Sequence, residues 1–197
     1  MTEIAGPDAY ARRYLADTAA ALAEPYVLEG VRRIVPMLVR ARDDGRLVLL
    51  FGNGGSASTA SHFVTDLAKV ATPKGVRPMR CVALSDNVPS VTAWANDTDY
   101  SRIFSEQLRA LATPGDVAIA ISGSGNSPNV LEAVRAARAI GLGTIGLTGM
   151  GGGKLKDLVD VAVVVPSDSM QHTEDAHVIL LHLLTAYLRD EGPGAAR

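Results

Sequence analysis

The sequence predicts an α/β fold, a three-layer α/β/α sandwich around a five-stranded parallel sheet, and three observations carry that expectation. Short apolar runs alternate with helix-like stretches, as βαβ units require. The runs are apolar at consecutive positions, the pattern of strands covered on both faces. Two of them end in Gly/Ser-rich loops, Gly52-Asn53-Gly54-Gly55-Ser56 and Ser122-Gly123-Ser124-Gly125-Asn126-Ser127, that lead into helical patterns. Two such loops at the carboxyl ends of strands in one parallel sheet open on one crevice. They offer hydroxyl and backbone N–H groups there, which suits an anionic small molecule.

Taken in order, 8–23 and 25–43 read as amphipathic helices parted at Glu24-Pro25, because proline is tolerated in a first helical turn. Their apolar faces are left to cap the sheet or to pack against another subunit. Strand 46–51 leads into helix 56–70, and strand 79–84 into helices 89–95 and 101–111. Strand 116–121 is followed by helix 127–140, then strands 143–147 and 161–165. A last helix over 173–189 precedes a Gly/Pro/Ala tail that is expected to fray. This makes one domain over 1–197: N-terminal helices 1–44 for oligomerisation, an α/β core 45–190 and a flexible tail 191–197.

The composition narrows the class of ligand. With 197 residues, 47% hydrophobic and 20% charged, the chain can bury a sizeable core. A net charge of -2 without a Lys/Arg block leaves no electrostatic footprint for nucleic acid or an anionic membrane. The single cysteine, Cys81, sits in an apolar run and reads as a buried thiol, with no disulfide framework. No apolar run approaches a membrane span and the first residues carry no signal-like core, so a cytoplasmic protein is expected.

Gly52, Gly54 and Ala57 nominally fit the dinucleotide fingerprint, but the ribose-binding acid is missing at its usual spacing and Asp86 comes too late. No Gly-Lys-Ser/Thr motif is present either, so triphosphate hydrolysis has no phosphate lysine. Neutral donors from Asn53, Ser56, Ser122, Ser124 and Ser127 suit a sugar phosphate held at a helix amino end. The plainer alternative is a cap at Ser127-Pro128 and a tight turn at Gly54-Gly55.

His62 and Asp66 are one helical turn apart and share a face, while Glu174 and His182 stand about 80° apart around the last helix. If that helix crosses the mouth of the first loop, within the chain or from a neighbour, the four converge as a ligand set for zinc or another divalent metal. Taken singly, each histidine is equally well a structural or surface residue. His177 lies off the Glu174/His182 face and reads as an interface or surface position. Trp94 reads as packing, and Lys154 and Lys156 as solvating a helix start.

The ordered set Gly52-Asn53-Gly54-Gly55-Ser56, Ser61-His62-Phe63, Asn96-Asp97, Ser122 to Ser127, Gly149 to Lys154 and Val165-Pro166-Ser167 resembles the phosphoheptose (sedoheptulose 7-phosphate) isomerase family of the sugar-isomerase (SIS) fold. The resemblance implies a homotetramer with active sites between subunits. It also implies that Asn53, Gly54, Gly55, Ser56, Asn96, Asp97, Ser122, Gly123, Ser124, Ser127, His172 and Glu174 bind an open-chain sugar phosphate. One Zn2+ or similar ion per site would be held by His62, Asp66, Glu174 and His182, with Asp66 and His182 as the acid–base pair of an aldose–ketose isomerisation through an enediol.

Three positions depart from the family pattern: Asp66 stands for a glutamate, Gly123 for a threonine, and His172-Thr173-Glu174 for Arg-Ile-Gln. The first shortens the base by about 1.5 Å. A retuned site of this kind leads us to expect a D-glycero-D-heptose 7-phosphate product that is manno or its C2 epimer, with His172 or Glu174 handling the proton on the second face. The competing class is a non-catalytic SIS protein with a regulatory or assembly role, of the kind that binds a replication initiator. No helix-turn-helix extension accompanies the chain, which argues against a DNA-binding regulator.

Overall fold

A computed structural model describes residues 6–192. Of the tail predicted from 191, residues 193–197 lie outside the described residues. Two helices come first, α1 (Pro7–Leu22) and α2 (Pro25–Asp43), each with proline in its first turn where the missing N–H costs nothing. Then follow β1 (Leu47–Gly52), α3 (Gly55–Thr65), β2 (Arg80–Ala83), α4 (Val88–Asp97), α5 (Ser105–Leu111), β3 (Val117–Ser122), α6 (Pro128–Ile140), β4 (Gly143–Thr148), β5 (Val161–Val164) and α7 (Met170–Asp190).

The five strands form one parallel sheet in the order β2-β1-β3-β4-β5. Alternate side chains feed two cores. Val48, Leu50, Ile119 and Ile121 face α2, α3 and α7 through Leu38, Phe63 and Leu180. Leu49, Phe51, Ala118 and Ala120 face α5 and α6 through Phe104, Leu108 and Val134, with Trp94 of α4 packed against this second core. Burial on both faces is why the strands read as unbroken apolar runs. The chain leaves β1 toward β2 and then returns to β3 on the other side. The β1–α3 and β3–α6 loops therefore flank the point where the winding reverses, the place at which open α/β sheets bind ligands.

The N-terminal helices do within one chain part of what was left open between capping and assembly. α2 lies on the sheet, with Gly30 close against Val163, and α1 lies on α7. Tyr10, Leu15, Tyr26 and Leu28 on these helices, with Ile179, Leu183 and Tyr187 on α7, remain exposed and large.

Several expectations are corrected. The stretch 101–111 is not one helix: Asp99 accepts from Ser101 N at 2.8 Å and starts a short 3-10 turn, Tyr100–Arg102, before α5 begins. Pro36 sits inside α2 on its exposed side, so proline did not confine itself to the first turn. Lys154 and Lys156 lie within turns rather than at a helix start, and Lys156 Nζ donates to the Gly151 carbonyl at 2.9 Å. His177 is not a surface residue; it is 1% exposed, among the residues by which α7 contacts the sheet. Cys81 is partly buried, which pushes its thiol up to about 11, and its Sγ–H donates to the Val64 carbonyl.

Candidate active site

The two Gly/Ser loops face each other across a cleft of about 250 Å³, lined by Asn53, Gly54, Gly55, Ser56, Ile121, Ser122, Gly123, Ser124, Ser127, Met170 and Glu174. Gly54 has φ 54°, a conformation that side chains disfavour, and it lets the chain turn straight from β1 into α3. No side chain caps the amino end of α3; there the Ser56 and Ala57 N–H groups donate to the Asn53 and Gly54 carbonyls at 3.0 Å. On the other wall, Ser127 does not cap α6 either. Its Oγ lies 3.3 Å from Ser122 Oγ, and both hydroxyls are presented side by side.

The loops are tied together by a pair that sequence reasoning missed. Asn53 Nδ2 donates to Asn129 Oδ1 at 2.9 Å and Asn129 Nδ2 donates back to Asn53 Oδ1 at 2.7 Å, while Tyr100 OH donates to the same oxygen at 3.2 Å. Asn129 is 1% exposed, so this amide pair is sheltered and rigid. The Asn53 side chain thus holds the loops in register, leaving backbone groups and serines for a ligand. A second brace comes from the loop after β4: Gly149 N donates to the Gly123 carbonyl and Leu155 N to the Gly125 carbonyl.

α3 and α7 run side by side in the same direction. At their amino ends Gly55 meets Glu174, whose carboxylate leaves no room for a side chain at position 55. Two turns further on, His62 meets His182 with Nε2 atoms 3.4 Å apart, and Asp66 Oδ2 lies 3.7 Å from each. Asp66 opens a π-helical turn, Asp66–Val70, that continues α3; such bulges reposition a side chain and recur at functional sites. The Asp66 side chain is 13% exposed, against 51% and 53% for the two histidines. One residue ahead of His62, Ser61 Oγ donates to the Asp86 carboxylate.

Two imidazoles and a carboxylate are a metal-binding donor set, and the spacing fits one. Donors around a tetrahedral ion with bonds of about 2.0–2.2 Å stand roughly 3.3–3.6 Å apart. His62, Asp66 and His182, at 3.4, 3.7 and 3.7 Å, come within about 0.1 Å of this on one side of such an ion. Glu174, the fourth expected ligand, stands elsewhere: it is eight residues before His182, about 12 Å along the helix, and lines the cleft.

Other expected site residues also lie apart. His172 is turned away from the cleft toward α1, with its ring stacked on Tyr14 at 4.0 Å between centroids. Its side-chain partner there is Thr18. Asn96 and Asp97 end α4 on the exposed surface, where Asn96 Nδ2 donates to Asp97 Oδ1 at 2.8 Å, outside the cleft lining. Besides Asn129 and Tyr100, the cleft uses Met170, which fills the space in front of Gly123 that a side chain there would claim. No motif marks these residues; only the packing of α7 and α6 against the loops brings them in.

Two further groups, one buried and one at the surface, are shifted from their ordinary titration. Desolvation pushes His177 down to about 4, the Thr148 backbone opposing it, and neither ring nitrogen has a side-chain or backbone partner of good geometry among the described residues. At the surface, donating to Asp175 raises the Tyr14 phenol to about 12.

Comparison with known proteins agrees with this geometry. Residues 13–149 match the family described as the SIS domain. The chain is 40% identical over 170 residues to the phosphoheptose isomerase of Paramagnetospirillum magneticum, covering 86% of this chain and 85% of that one. It is 38% identical over 164 residues to the phosphoheptose isomerase of Aliarcobacter butzleri, covering 83% and 86%. The solved structure of phosphoheptose isomerase from Neisseria gonorrhoeae is similar with a TM-score of 0.82 at 30% identity, over 92% of this chain and 95% of that one. Fold, loop pair and likeness along most of the sequence converge: the chain belongs to the phosphoheptose isomerase family of SIS-domain proteins.

Proposed function

We propose that the protein interconverts sedoheptulose 7-phosphate and a D-glycero-D-heptose 7-phosphate, an aldose–ketose isomerisation through an enediol. The observation that carries this reading is the pairing of a serine-lined, amide-braced cleft with a His62/Asp66/His182 triad on one helical seam. Ser122, Ser124 and Ser127 with the amino end of α3 bind the phosphate and hydroxyls by neutral donors. Asp66 takes the proton alpha to the carbonyl and His182 returns one to the neighbouring carbon.

A divalent ion such as Zn2+, held by His62, Asp66 and His182, supplies Lewis-acid polarisation of the substrate carbonyl when bound. While holding such an ion, Asp66 would keep its second carboxylate oxygen as a basic atom. On the face of the enediol opposite His182, the proton-handling group is Glu174. Its carboxylate borders the cleft whereas His172 does not, which supports Glu174 as the group that returns the proton on the opposite face and yields the C2 epimer of the manno product.

The cleft and the triad are two helical turns apart in one chain, so the working site forms between copies. The exposed Ile179 and Leu183 flank His182 on α7, and with Leu15 and Leu28 they form the surface across which subunits of a homotetramer meet. Incubation with sedoheptulose 7-phosphate and assignment of the aldose by NMR tests the reading. The C2 epimer of the manno product from the parent enzyme, shifting toward manno in Glu174→Gln, is the expected result. Manno product alone from both would remove Glu174 from the stereochemical role.

A further inference from the structure

The first turn of α7 has two working faces. Met170, Thr173 and Glu174 point toward the cleft loops, where Met170 and Glu174 line the cavity and Thr173 packs against Gly149. His172 and Asp175, on the opposite face, are gripped by α1. Thr18 has one hydroxyl proton, and Oγ1 donates it to the Tyr14 carbonyl at 3.0 Å. The contact of Thr18 Oγ1 with His172 Nδ1 at 2.7 Å therefore has the imidazole donating, which fixes its tautomer. The same imidazole stacks on the Tyr14 ring, tilted by 24°, and Tyr14 OH donates to Asp175 Oδ2 at 2.6 Å. Two hydrogen bonds and a ring stack thus join one turn of α1 to one turn of α7.

We propose that His172 is a positioning residue: clasped between Tyr14 and Thr18, it fixes the first turn of α7 so that the Glu174 carboxylate stays over the cleft. The N-terminal helix thereby acts on the site without touching it. This inference rests on the isomerase reading for its catalytic consequence, but the clasp itself can be measured separately. The physical reason for expecting an effect is leverage. Glu174 follows His172 by two residues on a rigid helix, and small displacements of a proton-transferring group are costly in rate.

Three variants divide the clasp. His172→Asn keeps a donor near the Nδ1 position and loses the stack, His172→Phe keeps the stack and loses the donor, and His172→Ala loses both. Backbone amide exchange of 169–176 is measured together with kcat, KM and the aldose product ratio on sedoheptulose 7-phosphate. For His172→Ala, exchange accelerates about tenfold in this segment and not in the β-sheet, since the turn loses its local tether. Its kcat falls on the order of tenfold with KM within about twofold, the serine cradle being untouched, and the product ratio moves. His172→Asn and His172→Phe each recover part of both changes. Unaltered exchange in His172→Ala overturns the clasp. Faster exchange with kcat, KM and product ratio all unchanged overturns the positioning role. A parent enzyme without turnover on the ketose phosphate counts against the isomerase reading instead, while exchange still decides the clasp.

Discussion

His177 shows how far one residue can sit from what its spacing suggests. It lies off the face that carries Glu174 and His182, and that much was legible; that the remaining face of α7 is the one pressed onto the sheet was not. Burial keeps the imidazole neutral, pushing it from its ordinary 6.5 down to about 4 in the fold. Between those two values the unfolded chain binds the extra proton and the folded chain does not. Stability is therefore full above pH 6.5 and declines as pH falls toward 4, by an amount on the order of 3 kcal/mol. Denaturant melts at about pH 7 and about pH 4.5 should show this decline in the parent and a smaller one in His177→Leu; equal declines would mean that His177 does not titrate across the transition. The serines of the two loops were readable because hydroxyls beside glycine have few roles other than binding or capping. Asn129 and Tyr100 were not readable, since a lone Asn after Ser-Pro and a Tyr in a loop carry no spacing signal.

At the scale of elements, the strands announced themselves because each is apolar on both faces, and their bounds shifted by only a residue or so between sequence and structure. Helices were less legible. The 56–70 stretch is α-helical only to Thr65 and then widens into the π turn that carries Asp66, and 101–111 breaks at a 3-10 turn. Neither event has a sequence signature as strong as a proline. Departure from ideal helix at Asp66 also bears on the substitution of aspartate for glutamate. The bulge changes the direction from which the shorter side chain leaves the helix, and the carboxylate still meets both histidines. The element-level contact with most consequence is the amide pair between the loops. Asn129→Ala removes both bonds and leaves the Asn53 amide short of its main partner, so we predict a loss of about 1–3 kcal/mol in stability. A KM for the sugar phosphate raised severalfold should accompany it. Chemical denaturation and steady-state kinetics check the two effects, and a variant with parent-like KM would show that the loops hold their register without the pair.

For the whole molecule, the choice left open in the sequence between capping the sheet and joining subunits is answered partly by packing. α2 caps the sheet and α1 clasps α7, yet both leave large apolar side chains in solvent beside the triad. Among the described residues no helix is long and apolar enough to cross a membrane, so a membrane-spanning helix does not account for that surface. If copies of the chain meet there, Leu183→Glu places a charge in the contact and should lower the mass seen in sedimentation velocity. Activity should fall by about two orders of magnitude, because cleft and triad would no longer face each other. An unchanged mass with full activity would mean that each chain works alone. Folding of a single copy explains the cradle; the proposed assembly would bring it to the triad.

Isomerisation through an enediol is tested most directly by turnover of sedoheptulose 7-phosphate in deuterated water, by the parent protein and by His182→Ala and Asp66→Asn. The expected result is an aldose phosphate carrying deuterium at C2 from the parent, with exchange reduced by at least about two orders of magnitude in both variants. Absence of exchange in the parent, with metal supplied and the ketose phosphate bound, would contradict it and leave a sugar-phosphate-binding protein in its place.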